Sequence, residues 1–138
     1  MNAFVKKNIS FLIFSFVIGC SVTFSQTQAD MNKQTYESYK KADKELNDIY
    51  HKILIEYKAD TLFVKNLKAS QRIWINFRDA ELKIRYPDYG NNYYGSMQPM
   101  CVASYLEKLT KERIKTLKEW LDGVEEGEGC EGSVKLKK

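Results

Sequence analysis

Histidine is almost missing from this chain: His51 is the only one in 138 residues. That excludes a multi-histidine metal site and a Ser-His-Asp arrangement with a choice of base. His51 itself, beside Tyr50 on a predicted helix, reads as an ordinary surface or boundary residue. There is no Gly-x-x-x-x-Gly-Lys phosphate loop, no His-Glu-x-x-His and no Cys-x-x-Cys. Acid pairs such as Asp79 with Glu81, or Glu125 with Glu126, are close in sequence but nothing around them suggests a cleft, so they read as solvated. Strand-like alternation, internal repeats and a second domain are all lacking. The expectation is a protein that is not an enzyme and uses neither cofactor nor metal.

Long apolar runs are also lacking, with one exception at the start. Lys6 and Lys7 precede an apolar run from Ile9 to Gly19, too short for a typical membrane span and followed by small and polar residues. This is the layout of a secretory signal peptide. Two cuts are open: Thr23 and Ser25 suit an ordinary cut before Gln26, whereas Val17-Ile18-Gly19-Cys20 resembles a bacterial lipobox, which would leave Cys20 lipidated. The division is therefore a signal peptide over 1–25 (or a lipoprotein signal over 1–19), a helical domain over 26–122 and a tail over 123–138. Export places the protein in the periplasm or outside the cell, or, if Cys20 carries lipid, on the outer membrane.

A cut before Gln26 leaves 113 residues, enough for one small core, with 20 basic against 18 acidic side chains. A net charge of +2 is too weak to argue for nucleic acid, and membrane contact would rest on Cys20 lipidation alone. Either cut leaves Cys101 and Cys130 as the free thiols, and an exported chain tends to oxidise such a pair. An intramolecular bond requires the tail to lie back along the last helix, or that helix to end early; the rival is an intermolecular bond.

What is present is helical periodicity. Thr27 and Asp30 make a T-x-x-D start. From there Thr35, Tyr39, Ala42, Leu46, Ile49 and Ile53 alternate four and three apart and Tyr57 follows four later, an apolar seam for an intramolecular bundle. Asp60 or Thr61 can cap a second helix over about 62–85, and the short turn favours an antiparallel hairpin. In that helix Leu67, Trp74 and Phe77 read as the core face, which makes it the predicted hub. Pro99 is tolerable in the first turn of a third helix, which carries Val102, Leu106, Leu109, Leu117 and Trp120 to about Leu121. Arg113 falls in the same apolar register and needs an acceptor, with Asp79, Asp43 or Asn47 as candidates. Arg78 and Asp79, as sequence neighbours, are not expected to face one another. The fold class is all-α, a small monomeric three-helix bundle made of a long helical hairpin plus a third helix.

Two stretches outside the helices could carry function. The loop from Tyr86 to Ser96 holds Tyr89, Tyr93 and Tyr94 among Pro, Gly and Asn, and reads either as a binding surface or as a lid on the bundle end. The tail gathers Glu125, Glu126, Glu128 and Glu131 between glycines, then ends in lysines.

Three motifs in order resemble one family. Tyr39-Lys40-Lys41-Ala42-Asp43-Lys44-Glu45-Leu46-Asn47 and Tyr50 are similar to the opening of the lysozyme inhibitor LprI-like N-terminal domain. Leu67, Gln71-Arg72, Trp74-Ile75 and Phe77-Arg78-Asp79-Ala80 resemble its L-x-x-A-Q-R-x-W-I-x-Y-R-D-A signature, with Ser70 for Ala and Phe77 for Tyr. Gly95-Ser96, Pro99-Met100, Leu106, Leu109-Thr110 and Arg113 follow the third motif. The resemblance implies an all-helical envelope or secreted domain that binds lysozyme or another cell-wall hydrolase. From the residues themselves, Trp74, Arg78, Asp79, Arg113, Asp43 and Asn47 are expected to form a structural network rather than a binding site. Better-known members carry cysteines where this chain has Gln34, Leu82 and Tyr105, so any Cys101–Cys130 bridge would be a different staple. The other function the sequence allows is an envelope scaffold or accessory (lipo)protein that inhibits nothing.

Overall fold

A computed structural model describes residues 19–127 and 129–137, with side chains from Thr27 onward. Residues 1–18, and with them most of the expected signal peptide, lie outside that description, as do the side chain of Cys20 and all of Glu128. Among the described residues there are three helices: α1 is Gly19–Glu56, α2 is Thr61–Arg85 and α3 is Gln98–Asp122. The all-α class holds.

The predicted seam of α1 is the centre of the core. Ala42, Leu46, Ile49 and Ile53 are buried, Ile53 completely, and they close over Ile114 and Leu117 of α3 and Leu67 of α2. Tyr57, Phe63, Trp74 and Trp120 pack around that cluster as partly buried aromatics. Polar ties between α1 and α3 flank it. Ser38 Oγ donates to Glu107 Oε1 at 2.8 Å and Lys118 pairs with Glu45 at 2.8 Å. The Lys111 ammonium holds the Glu107 carboxyl below the ordinary carboxylate range, with the Ser38 hydroxyl acting the same way.

The interface between α1 and α3 is by far the closest; α2 touches α3 lightly and α1 least. The hub is therefore α1, not α2 as expected. Only Leu67 and Gln71 of α2 are buried, and Phe77, assigned to the core from its spacing, is half exposed. The reason is that α2 carries two apolar stripes. Leu67 and Trp74, seven residues apart, share the stripe that packs, while Leu62, Ile73, Phe77 and Ile84 form a second stripe in solvent.

Local chemistry explains the helix ends. The Asp60 carboxylate accepts from Phe63 N at 2.9 Å and caps α2, and Tyr86 before Pro87 ends it. Pro99 sits in the first turn of α3, where its missing N–H costs nothing. The predicted T-x-x-D start is a correction: Thr27 and Asp30 lie inside α1, because the residues from Gly19 onward are helical too and leave no free first turn to cap.

The tail does not run back along α3. At Gly123 the chain turns with φ 74°, and Val124 pairs with Leu136 through hydrogen bonds from Val124 N to Lys135 O and from Lys137 N to Val124 O. Tyr57 ties this strap down: its hydroxyl donates to Trp120 O at 3.0 Å and accepts from Lys135 N at 3.3 Å. Lys135 pairs with Glu56, and Trp120 Nε1 donates to Ser133 Oγ. Cys130 is thus held near the end of α3 while Cys101 sits in its first turn, about 30 Å away at 1.5 Å per residue. Both thiols are free, so the expected intramolecular bridge is not formed.

Candidate functional site

The tyrosine loop between α2 and α3 is built on four departures from ordinary backbone, three of them consecutive. Gly90, Asn91, Asn92 and Gly95 all have positive φ, from 49° to 71°, the region that glycine and asparagine tolerate best. Tight turns close it: Tyr93 N donates to Gly90 O at 3.1 Å, Gly95 N to Asn92 O at 2.9 Å and Gly90 N to Asp88 Oδ1 at 3.2 Å. The result presents four rings edge to face. Tyr93 lies 5.0 Å from both Tyr89 and Tyr94, and Tyr94 lies 5.5 Å from Tyr86. Tyr94 is half buried and donates its hydroxyl to Pro87 O at 3.1 Å; its burial, with the neighbouring phenols, raises its pKa. Tyr89 and Tyr93 stand out from this base, 63% and 69% exposed. Supporting and presenting roles are thereby divided within one loop.

The acidic tail is at the other end of the molecule. α3 separates the two, and its 25 residues span about 37 Å. Tyr89 and Tyr93 therefore cannot share one patch with the tail acids. Glu125 is paired with Lys137 at 2.8 Å, Glu126 is exposed and Glu128 lies outside the described residues. The tail is less anionic in space than in sequence.

The expected arginine network exists as two separate sets. In one, Arg78 grips its own neighbour Asp79, with Nε and Nη2 each 2.9 Å from Oδ1, and reaches Asp43 at 3.8 Å. The long guanidinium stem folds back along the helix, so adjacency in sequence did not keep the two apart. The same guanidinium lies 5.4 Å from the Trp74 ring, and Asn47 donates to Asp43. In the other set, Arg113 meets none of its three expected partners. Its Nε donates to Gln71 Oε1 at 3.1 Å and its Nη2 to Ser70 Oγ at 3.0 Å. Gln71 was the residue sequence reasoning missed; it lies seven positions before Arg78, hence on the same face of α2.

One stability expectation follows. Asp79 is half exposed and its partner is adjacent, so Asp79→Ala should cost no more than about 1 kcal/mol, read by urea unfolding. A loss of several kcal/mol would mean Asp79 anchors more than Arg78.

Known proteins bear on this arrangement as follows. The family model for lysozyme inhibitor LprI matches residues 20–117, most of the chain and all three helices. The chain belongs to the lysozyme inhibitor LprI family. An uncharacterized protein of Rhizobium meliloti (strain 1021) is 31% identical, the match covering 72% of this chain and 77% of that protein. No solved structure matches. Within the LprI match lie both arginine sets and the tyrosine loop, whereas the tail from Gly123 falls beyond it. Among the described residues there is no cluster of three potential metal ligands, and no helix long and apolar enough to cross a membrane.

Proposed function

We propose that this LprI-family protein is exported, to the periplasm or beyond, and inhibits a lysozyme or a related cell-wall hydrolase by binding it with the tyrosine loop. One observation carries the reading: two exposed tyrosines are held on a loop whose turns and ring contacts order it before any partner arrives. An anchor already ordered loses little entropy on binding, and Tyr has only two side-chain torsions to fix. A lysozyme works with carboxylates in a cleft shaped for sugar rings. The Tyr89 and Tyr93 rings can fill such a cleft, and their hydroxyls can donate to its carboxylates. Glu125 and Glu126 are left outside this interface by their distance from it.

In a turbidity assay of cell-wall lysis, the purified protein should slow at least one lysozyme type. Tyr89→Ala with Tyr93→Ala should weaken that inhibition by about thirtyfold or more, the effect of losing two anchor residues worth over 1 kcal/mol each, with unfolding unchanged. Inhibition that survives the double variant would move the interface elsewhere.

A second reading, an envelope scaffold or accessory protein that engages no hydrolase, gains support from the solvent-facing stripe of Leu62, Ile73, Phe77 and Ile84 on α2. Envelope fractions separate the two, since an inhibitor should recover a hydrolase.

A further inference from the structure

The light contact between α2 and α3 leaves a groove where the start of α2 faces the end of α3. Its volume is about 350 Å³, within the range of small-ligand sites. Phe63, Leu67, Leu117 and Trp120 form its apolar walls, and Leu62 stands at the lip, 66% exposed. Arg113 closes one end. Both acceptors it uses, Gln71 and Ser70, are neutral, and among the described residues no carboxylate pairs with it. Nη1 therefore keeps its donors without an acceptor among those residues. Burial lowers the Arg113 pKa, yet a guanidinium stays charged at neutral pH. Asp60 is the acid on the lining; it lies ten residues along α2, about 15 Å from Ser70, and its carboxylate already caps Phe63 N.

A groove with apolar walls and a half-buried cation lacking a counter-charge is complementary to a ligand of the opposite build. We propose that it binds an amphiphilic carboxylate, a fatty-acid-like chain whose head group accepts from Arg113 and whose tail lies over Leu67, Leu117, Phe63 and Trp120. The carboxylate would accept a charge-assisted hydrogen bond from the free Nη1 donors. The chain would bury the parts of Leu62, Phe63 and Trp120 that water now covers, over a floor of Leu67 and Leu117. The indole N–H of Trp120, bound to Ser133 Oγ, keeps that ring in place as a wall. This site lies at the opposite end of α3 from the tyrosine loop, and the proposal stands or falls independently of hydrolase binding.

The test is a titration of the purified protein with dodecanoate, below the concentration at which it forms micelles. Trp fluorescence and the two indole N–H resonances report binding. Dodecanoate should bind saturably and shift the Trp120 indole while leaving that of Trp74, which does not line the groove, nearly unmoved. Dodecyltrimethylammonium and dodecanol should each bind about tenfold more weakly or worse, since neither gives Arg113 a charged acceptor. Arg113→Gln should weaken dodecanoate by a similar factor. In case that variant unfolds, Leu62→Glu at the exposed lip should weaken it too, with helicity unchanged. Equal binding of all three amphiphiles, no binding at all, or shifts centred on Trp74 would overturn the proposal. Self-association of the protein without dodecanoate binding would assign the groove to a second copy and overturn it equally.

Discussion

Leu117→Ala is expected to lower the unfolding free energy by about 2–5 kcal/mol, a large share of the roughly 5–15 kcal/mol that holds a domain of ordinary stability together. Leu117 is 1% exposed and belongs to the cluster in which α1, α2 and α3 all meet. Truncation would remove the transfer free energy of the lost carbons and leave a cavity that three helices cannot all move to fill. Urea denaturation followed by circular dichroism would show a lower midpoint with an unchanged slope. The matched control is Leu62→Ala: that side chain is 66% exposed and should change stability by less than about 0.5 kcal/mol. Equal effects at the two positions would contradict the packing described above.

The second large effect is expected at Gly123. Its φ of 74° and ψ of 174° lie in a region that residues with a Cβ scarcely occupy. A Cβ placed there would meet Lys135 O at 2.9 Å, Lys137 N at 3.1 Å and Leu136 C at 3.2 Å. All three are backbone atoms of the returning strap, held by the hydrogen bonds to Val124, so they cannot rotate away as a side chain would. Gly123→Ala should therefore cost about 1–3 kcal/mol and free the strap from Tyr57 and Glu56. Faster tryptic cleavage after Lys135 and a changed Trp120 emission would report the release. Gly129→Ala, where nothing lies within 4 Å of the added carbon, should do neither.

Much of the fold was legible because burial on one face leaves a period in the sequence. The seam from Ala42 to Ile53, the Asp60 cap and the Pro99 start were all readable from spacing and side-chain chemistry. The identity of the central helix was not. A helix with two apolar stripes does not announce which one packs, and the spacing of Trp74 to Phe77 is as helical as that of Leu67 to Trp74. Nor was the partner of Arg113, because a guanidinium that is only half buried can be held through Nε and Nη2 by neutral Gln71 and Ser70 without a carboxylate. The tail was read by composition alone. Its path depends on one backbone conformation at Gly123, which places Cys130 far from Cys101 and turns Lys135 and Lys137 onto Glu56 and Glu125.

The closeness of α1 to α3 also governs how the chain can reach this state. Ser38 meets Glu107 across 69 positions, Glu45 meets Lys118 across 73, and Tyr57 meets Lys135 across 78. Helical proteins usually fold fast because their contacts are local. Here the main interface joins the first helix to the last, with α2 and its flanking turns spanning the gap as a loop. Closing a loop of about 70 residues costs roughly 2 kcal/mol more entropy than closing one of ten. The core cannot assemble until the two ends of the domain have found each other, which sets a slower search than the helical content alone would suggest.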